Sequence, residues 1–356
     1  MASLAAATGL AARKKKEEET QALPLPKDLP AAVVGETRHL TFHVTPLAAK
    51  GLLSQQVRDA LRSLERECAG NPVLHIRAFV AGSGDLRRVR ELVSEMFTER
   101  HQPLPALSLI LAGGLALPGA QIELEAVANG KRELYPGGLA FFSAQPAFSD
   151  DPQEPVAPLL AKSLADLKNA VQLAAAAPGD VLRVTCFLSS LDKLNGIRDS
   201  VQSEYPKAAL DYVQPQRAPQ RAMAACEAVA GLRESGRRLA FRNGPGASAR
   251  ETSEVSLLAS PRVILTGSQA SFGFEDSDAH LALERLGKSL EPAGASLKDV
   301  AFLRVYPLSR SIEDQVRRQI PLFFTPESFP AGTALQFEGL PSADAGFAVD
   351  AVAAKD

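Results

Sequence analysis

Three short stretches decide the fold of this chain: Glu125-Ala126-Val127-Ala128, Glu227-Ala228-Val229-Ala230 and Asp350-Ala351-Val352-Ala353. Each stretch closes an apolar run of the length of a β-strand. The stretches recur roughly 100–120 residues apart, which is far longer than the period of about 20–50 residues in solenoid repeats. The spacing therefore predicts repeated domains rather than an array of small repeats.

The same succession of elements precedes each ending: an amphipathic helix, a strand, a second helix and two strands. Apolar residues at helical spacing predict helices over 54–68, 86–99, 158–175, 191–205, 278–290 and 312–324. Strands that link the two helices of a unit are predicted over 73–80, 181–188 and 300–306. This alternation of helices and strands places the chain in the α/β (α+β) class.

The length of 356 residues accommodates two or three domains. Residues 1–35 are rich in Ala, Lys, Glu and Pro without a sustained period, which predicts a disordered tail and linker. Boundaries are predicted at Asn129-Gly130 and in the polar stretch 233–253. The predicted domains therefore cover 36–130, 131–246 (with a linker) and 247–356.

The composition argues against two classes of partner. The formal net charge is −2 and the charged fraction is 22%, so the basic face of a nucleic-acid binder is not expected. No apolar run approaches the length of about 18 residues that a membrane span needs. We therefore expect a soluble protein without nucleic-acid or membrane partners. A cytoplasmic location is expected, or export if a signal peptide precedes this start.

The cysteines and histidines give no sign of a metal site or a cofactor. Cys68, Cys186 and Cys226 are far apart and odd in number, and no Cys-x-x-Cys motif is present. A disulfide or a zinc site is therefore not expected, and Cys186 and Cys226 are predicted to be small core residues. The five histidines lack metal-ligand spacing, so no metal and no cofactor are predicted.

Several motifs occupy matching places in the three units. The second unit contains Phe141-Phe142-Ser143-Ala144-Gln145 and the segment 179–188, and the third contains Leu265-Thr266-Gly267-Ser268-Gln269 and the segment 293–300. The first keeps Pro105-Ala106-Leu107-Ser108. These motifs resemble those of the Rid (YjgF-type) family over about residues 37–355.

The resemblance implies a fold like that of bacterial chorismate mutase. In this fold a mostly antiparallel sheet carries two helices on one face, and three copies close around a central barrel with ligand clefts between them. Three units on one chain then predict an intramolecular pseudo-trimer, because each unit can cover the open sheet face of its neighbours. We accordingly expect a monomer that binds a small-molecule ligand between its domains.

The resemblance also implies a chemistry, in which active members hydrolyse enamines and imines of 2-keto acids. In the family an Arg of a Pro-Ala-Arg-Ser-like motif holds the substrate carboxylate, and a carboxylate of the last strand positions water. The Arg position falls here on Leu107, Leu210 and Gly332. The carboxylate position, and with it the candidate catalytic role, falls on Glu125, Glu227 and Asp350. Because no copy retains the Arg, ordinary 2-imino acid deamination is not expected.

Arg77 and Arg304 are the candidate replacements for the missing cation. The period-two alternation of a strand places them on the same face as Phe79 and Tyr306, toward the barrel and clefts. They could form a relocated anion-binding cleft, or they could pair with barrel-face carboxylates such as Glu125. The second interpretation is favoured because buried charges are normally paired.

Four polar residues match the rim of the family's cleft and are candidate binding residues: Ser143, Gln145, Thr266 and Ser268. Ser and Gln at a strand end are also common turn residues, and this reading stays open beside the first.

Together these features predict a Rid-like protein that binds a small metabolite and lacks the parent deaminase activity. The alternative is a hydrolase or deaminase with rearranged cleft residues, which would act on an imine, an enamine or a chorismate-like cyclic carboxylate. An endoribonuclease is the least favoured reading, because a basic, aromatic-studded face is missing. Whether the protein is an enzyme stays open at this stage.

Overall fold

The computed structural model describes residues 27–82, 84–244 and 253–356 and has a mixed α/β architecture. Its α-helices are α1 (Leu53–Cys68), α2 (Leu86–Glu99), α3 (Val156–Leu173), α4 (Leu194–Glu204), α5 (Asp276–Leu290) and α6 (Arg310–Gln319). Over these residues we find no helix with the length and apolar character that a bilayer span requires.

The strands follow one another in the order β1 (Ala32–Glu36), β2 (Leu40–Val44), β3 (Val73–Ala81), β4 (Ala106–Ala112), β5 (Gly114–Leu115), β6 (Ile122–Asn129), β7 (Gly138–Ser149), β8 (Val181–Leu188) and β9 (Ala209–Gln214). The remaining strands are β10 (Ala222–Leu232), β11 (Leu239–Arg242), β12 (Val255–Leu258), β13 (Arg262–Thr266), β14 (Gln269–Phe272), β15 (Val300–Pro307), β16 (Ala331–Ala334) and β17 (Ala345–Lys355).

The strands form three sheets. The first sheet has the order β2-β6-β3-β4, and the second has the order β11-β12-β7-β10-β8-β9-β5. The third has the order β1-β13-β17-β15-β16, and β14 also pairs with β17. In every sheet a central strand (β6, β10 or β17) runs antiparallel to the strand between the two helices (β3, β8 or β15), which runs parallel to the next strand (β4, β9 or β16).

Helix α2 shows how local sequence sets these elements. Asp85 accepts hydrogen bonds from the backbone N–H groups of Arg87 and Arg88 and caps the helix N-terminus. Apolar residues at helical spacing, among them Val89 and Phe97, form the buried face against the first sheet. The predicted bounds 86–99 are confirmed.

The other predicted helices are confirmed with small shifts at their ends, and the largest shift is in α6. This helix was predicted to reach 324 but ends at Gln319, and a 3-10 turn follows over Ile320–Leu322. Pro321 explains the early end, because proline lacks the N–H that an α-helix would need there.

The prediction of a disordered tail over 1–35 is wrong at its C-terminal end, where β1 covers Ala32–Glu36. This strand pairs antiparallel with β13, with Val34 opposite Ile264. The pairing gives the backbone of β1 hydrogen-bond partners at the edge of the third sheet, although the next strand along the chain, β2, belongs to the first sheet. Residues 1–26 lie outside the described residues.

Two further strands cross the predicted boundaries. Strand β12 follows the boundary at 246 in sequence but pairs with β7 of the second sheet. Strand β5 precedes the boundary at 130 but pairs with β9, also of the second sheet. Short segments are thus exchanged between neighbouring sheets, which ties the sheets to one another through backbone hydrogen bonds.

The prediction that no disulfide forms is wrong. Cys186 and Cys226 are bonded to each other, and they lie directly opposite on β8 and β10. Their 40-residue separation in sequence concealed the contact, which only the register of these two strands creates. Cys68 is free and buried in the first sheet's core.

The core is divided into five clusters. Three of them fill the space between each sheet and its helices. The other two combine side chains from all three sheets. One of these, the aromatic cluster, brings together Phe79, Phe187, Tyr306 and Phe337, with ring centroids 5.5–6.1 Å apart where the rings contact. The inner faces of the three sheets therefore meet around a shared interior.

Candidate functional site

A layer of polar side chains crosses the shared interior beside the aromatic cluster. Each sheet contributes three neighbouring residues to it, set side by side by strand register. We call this group the polar layer: Arg77, Ser108 and Glu125 from the first sheet, Thr185, Asp211 and Glu227 from the second, and Arg304, Thr333 and Asp350 from the third. All nine are buried.

Two arginines join the carboxylates of the polar layer. Arg77 donates from Nε to Glu125 Oε2 at 2.7 Å and from Nη2 to Glu227 Oε1 at 2.7 Å, and so links the first sheet to the second. Arg304 donates from Nε to Glu227 Oε1 at 3.3 Å and from Nη1 to Asp350 Oδ1 at 3.2 Å, and so links the third sheet to the second. Arg77 is 1% exposed and Arg304 is 4% exposed.

Hydroxyl groups close the layer in a cyclic order. Ser108 of the first sheet donates to Asp350 of the third at 2.6 Å. Thr333 of the third sheet donates to Glu227 of the second. Thr185 of the second sheet donates to Glu125 of the first. Glu125, Glu227 and Asp350 therefore each accept one hydroxyl proton from a neighbouring sheet.

The arginines keep the three central carboxylates ionised. Burial by itself raises the pKa of Glu125, but Arg183 and Arg77 together outweigh it and lower the pKa to about 2. The pKa values of Glu227 and Asp350 are lowered in the same way, against the effect of burial, by Arg77 and Arg304 acting on Glu227 and chiefly by Arg304 acting on Asp350. These groups are poor general bases near neutral pH, since their ionised forms are fully bonded.

Both predictions about the orientation of the strands agree with the observed packing. Arg77 and Arg304 face the interior with Phe79 and Tyr306. Ile76 and Ala78, on the opposite face of β3, pack against the helices. Of the two roles considered for these arginines, the structure shows the pairing with carboxylates of the interior. Tyr306 adds a hydrogen bond from its hydroxyl to Asp350 Oδ2 at 2.8 Å.

The positions matched to the family arginine hold two leucines and a glycine. Leu107 is 6% exposed and packs in the first core, and Leu210 packs against the second. Gly332 is buried on β16. These three positions therefore present no charge to a ligand.

The predicted rim residues lie beside two of these positions. Gly332 donates its backbone N–H to Ser143 Oγ at 2.7 Å, and Ser143 Oγ in turn donates to the carbonyl of Ser253. Ser268 donates its backbone N–H to the carbonyl of Leu107 at 3.2 Å. Neighbouring sheets are in direct backbone contact here, which leaves little room for a ligand.

The other two rim residues also serve the backbone. Thr266 Oγ1 accepts the N–H of Ala351 at 2.8 Å, and Gln145 Nε2 donates to the carbonyl of Ser143 at 3.1 Å. Thr266 is fully buried, and Gln145 is buried as well. Both side chains are thus engaged by the protein's own backbone, and Gln145 lies within β7 rather than in a turn.

Sequence reasoning missed three ionisable groups of the interior. Arg183 approaches Glu125 to 3.3 Å between Nη1 and Oε2, and Asp211 lies beside Glu123. Burial, followed by repulsion from Glu125, raises the pKa of Asp211 to about 7. Burial, followed by Asp211, also raises the pKa of Glu123. The period-two alternation that placed Arg77 and Glu125 on the inner face places Arg183 and Glu123 there too, and could have found them.

A more open cavity lies between the second and third sheets and has a volume of about 190 Å³. Two arginines line it, Arg221 and Arg310, and neither has an ion-pair partner among the residues that the structure describes. The guanidinium carbon of Arg221 lies 4.0 Å from the centroid of the Phe148 ring. Met223 and Leu335 give the cavity part of its apolar lining.

Over residues 27–82, 84–244 and 253–356, no group of three or more His, Cys, Asp or Glu side chains is arranged to hold a metal ion.

Comparisons with known proteins return matches among solved structures alone, since no family model and no curated protein matches the sequence. A Rid-family protein of unknown function from Yersinia pestis matches with 19% identity and a TM-score of 0.31, and the match covers 33% of this chain and 98% of that protein. A YjgF-family protein from Mycobacterium tuberculosis matches with 21% identity and a TM-score of 0.25, over 33% and 98% of the two chains. The YjgF gene product of E. coli matches with 21% identity and a TM-score of 0.25, over 26% and 81%. The chain is thus similar, over a quarter to a third of its length, to Rid and YjgF proteins, and scores this low carry no argument about its activity.

Proposed function

We propose that this chain consists of three Rid-like units in tandem that fold as one self-contained pseudo-trimer. We propose further that it binds a small anionic metabolite and lacks the deaminase activity of the parent family.

The cyclic polar layer supports the architecture. Equivalent strands of the three sheets place a carboxylate at the same level, and each carboxylate accepts a hydroxyl proton from the next sheet around the ring. Such an arrangement is expected when three copies of one unit surround a common axis. Because the carboxylates differ in their other partners, the units would be related in fold but no longer equivalent.

One observation carries the proposed lack of deaminase activity: Arg77 and Arg304 are buried and bound to the candidate catalytic carboxylates. A deaminase of this kind adds water to the C=N bond of a 2-imino acid and releases ammonia and a 2-keto acid. That step needs a cation free to hold the substrate carboxylate and a group free to position the water. In the polar layer, cation and carboxylate neutralise each other instead.

The cavity between the second and third sheets supports the binding role. Its two guanidinium groups, which lack an ion-pair partner among the described residues, suit a carboxylate or phosphate, and Phe148, Met223 and Leu335 suit a small apolar body. Asp150 and Glu313 also line the cavity, and Glu313 is already paired with Arg317. Its volume of about 190 Å³ limits the ligand to a small molecule. This cavity, rather than the three positions of the family arginine, is the proposed ligand site.

The buried disulfide bears on the proposed location. Disulfides persist in oxidising compartments and are rare in the reducing cytosol. The Cys186–Cys226 bond therefore favours the export alternative over a cytoplasmic location.

The test of the proposed function has two parts. Freshly generated 2-iminobutanoate should release ammonia no faster with the protein than without it, and a panel of small carboxylates should include at least one that raises the melting temperature in a saturable way. The double variant Arg221→Gln/Arg310→Gln should lose that shift, whereas Arg233→Gln should keep it, because Arg233 is exposed and pairs with Asp180 away from the cavity.

Ammonia release well above the blank that is abolished in Arg304→Ala would overturn the non-catalytic proposal and favour the hydrolase alternative. Carboxylates that bind equally to the double variant would overturn the assignment of the site.

A further inference from the structure

A second, much smaller cavity lies at the polar layer, on the side away from the aromatic cluster. Arginines from all three sheets line it: Arg77 from the first, Arg183 from the second and Arg304 from the third. In the part of the chain that the structure describes, no carboxylate lines this cavity. The remaining wall consists of His75 and of apolar residues such as Phe141 and Val352.

The three guanidinium groups have N–H donors left over. Nη1 of Arg77 is buried without a hydrogen-bond acceptor among the described residues, but this guanidinium lies over the Phe79 and Phe187 rings of the aromatic cluster, so Arg183 and Arg304 are the main donors to the cavity. Arg183 makes its single ion pair at 3.3 Å, between Nη1 and Glu125, and stacks on the Phe42 ring. Arg304 uses Nε and Nη1 for carboxylates, and its Nη2 has no acceptor within the described residues. Hydrogen-bond donors without acceptors in a protein interior are rare and costly, so the spare donors of Arg183 and Arg304, which line this cavity, need an acceptor.

The positive charges also repel one another. Burial lowers the pKa of Arg183, and Arg77 and Arg304 lower it further, while Glu125 and Glu227 only partly oppose this. Arg183 is thus the least compensated of the three cations.

His75 does not change this balance of charge. Ser108 directs its hydroxyl proton to Asp350, so at the 3.2 Å contact between His75 Nε2 and Ser108 Oγ the imidazole must donate. Burial, opposed by Asp350, lowers the pKa of His75 to about 4, and the ring is neutral near pH 7. It contributes a neutral wall to the cavity.

The size of the cavity restricts its occupant. Its volume of about 10 Å³ is enough for about one particle of the size of a water molecule. A water molecule would accept two of the spare N–H donors, but its own two protons would face guanidinium groups and apolar side chains. A monoatomic anion accepts from all of the donors and offsets their charge.

We propose that this cavity is a binding site for a monoatomic anion of chloride or bromide size, which stabilises the junction of the three sheets. The site is separate from the proposed metabolite cavity and is too small for an organic ligand. The anion would give the spare N–H groups of Arg183 and Arg304 a common acceptor and would reduce the repulsion among the three guanidinium groups.

Thermal unfolding in sodium chloride or bromide against sodium gluconate, at matched ionic strength, tests the site. The wild-type protein should gain on the order of 2 °C in melting temperature as the halide rises from 10 to 500 mM, with saturation. Arg183→Gln should abolish the halide effect, and Arg233→Gln should retain it because its guanidinium lies on the surface. Equal melting temperatures of the wild type in halide and gluconate would overturn the proposal, as would an unchanged halide effect in Arg183→Gln.

A direct measurement decides the matter if Arg183→Gln does not fold. Crystals of the wild-type protein grown in sodium bromide should show an anomalous difference peak within hydrogen-bonding distance of the arginines in this cavity. A cavity without anomalous signal, occupied by a water molecule or by nothing, would overturn the proposal. Both experiments leave the test with small carboxylates unaffected, so the two proposals can fail separately.

Discussion

The second sheet differs from the first and third at the polar layer. The first and third each place an arginine beside a hydroxyl residue, Arg77 beside Ser108 and Arg304 beside Thr333. The second places a threonine beside an acid, at Thr185 and Asp211.

The two arginines of the polar layer therefore pair with three carboxylates, and Glu227 of the second sheet contacts both of them. The second sheet instead brings in Arg183 from an adjacent inward-facing position of β8, and Asp211 faces Glu123 of the first sheet with no ion pair to either group among the described residues. The comparison teaches that one interior can neutralise buried carboxyl groups in two ways, with arginine on one side and with a bound proton on the other.

The largest expected effect comes from removing the arginine that joins the first two sheets. Arg77→Met would leave Glu125 and Glu227 buried without the cation closest to each, and we expect a loss of about 3–5 kcal/mol in the free energy of unfolding. Urea denaturation measures this loss, and Arg233→Met on the surface provides the control. A loss for Arg77→Met no greater than that of the control would mean that the polar layer does not hold the sheets together.

The disulfide is the next feature that sets the second sheet apart. Cys186 and Cys226 face the helices from the strands that carry Thr185 and Glu227 on their inner side. Cross-links of this sequence separation stabilise by about 2–4 kcal/mol, and reduction should lower the free energy of unfolding by such an amount. Thiol titration of the unreduced, denatured protein should find one free thiol, that of Cys68, and a count of three would contradict the bond.

The proton held by Glu123 and Asp211 should make stability depend on pH. Unfolded carboxyl groups are ionised above about pH 5, whereas in the folded state the pKa of Asp211 is about 7 and that of Glu123 is also raised. The folded state thus binds more protons than the unfolded state, and stability falls as pH rises through 7.

We expect a loss of about 1 kcal/mol between pH 6.5 and 8, a range that lies above the usual pKa of a free histidine side chain. Urea denaturation at a series of pH values measures this slope. Asp211→Asn, which mimics the protonated acid, should flatten the slope, whereas Asp180→Asn on the surface should leave it unchanged. A wild-type stability that rises over this range would contradict the raised pKa of Asp211.

The smallest expected effect concerns the third sheet. Tyr306→Phe removes the hydroxyl that donates to Asp350 and keeps the ring in the aromatic cluster. Because Arg304 and Ser108 still bind this carboxylate, we expect a loss of about 1 kcal/mol. A loss as large as that of Arg77→Met would mean that Asp350 depends on the phenol rather than on the cation.

Local patterns predicted the helices and the inner faces of the strands. The spacing of apolar residues is enough to set the bounds of α2, and period-two alternation is enough to direct Arg77 and Arg304 inward. These features depend on residues close together in sequence, which is why sequence reasoning could find them.

Features set by strand register were missed. The bond between Cys186 and Cys226, the pairing of β1 with the third sheet and the meeting of Glu123 with Asp211 all join residues 40 or more positions apart. Arg183 was missed for another reason, because it does not occupy the position equivalent to Arg77. In the second unit that position is held by Thr185, and the compensating cation lies two residues earlier.

The proposed pseudo-trimer is tested most directly by the molar mass of the protein in solution. Three units that cover one another's sheets should leave the chain a monomer, and multi-angle light scattering should report 37.8 kDa at all concentrations measured. A stable particle of three times that mass would show that the sheets pack against sheets of other chains, and would contradict a closed interior built from one polypeptide.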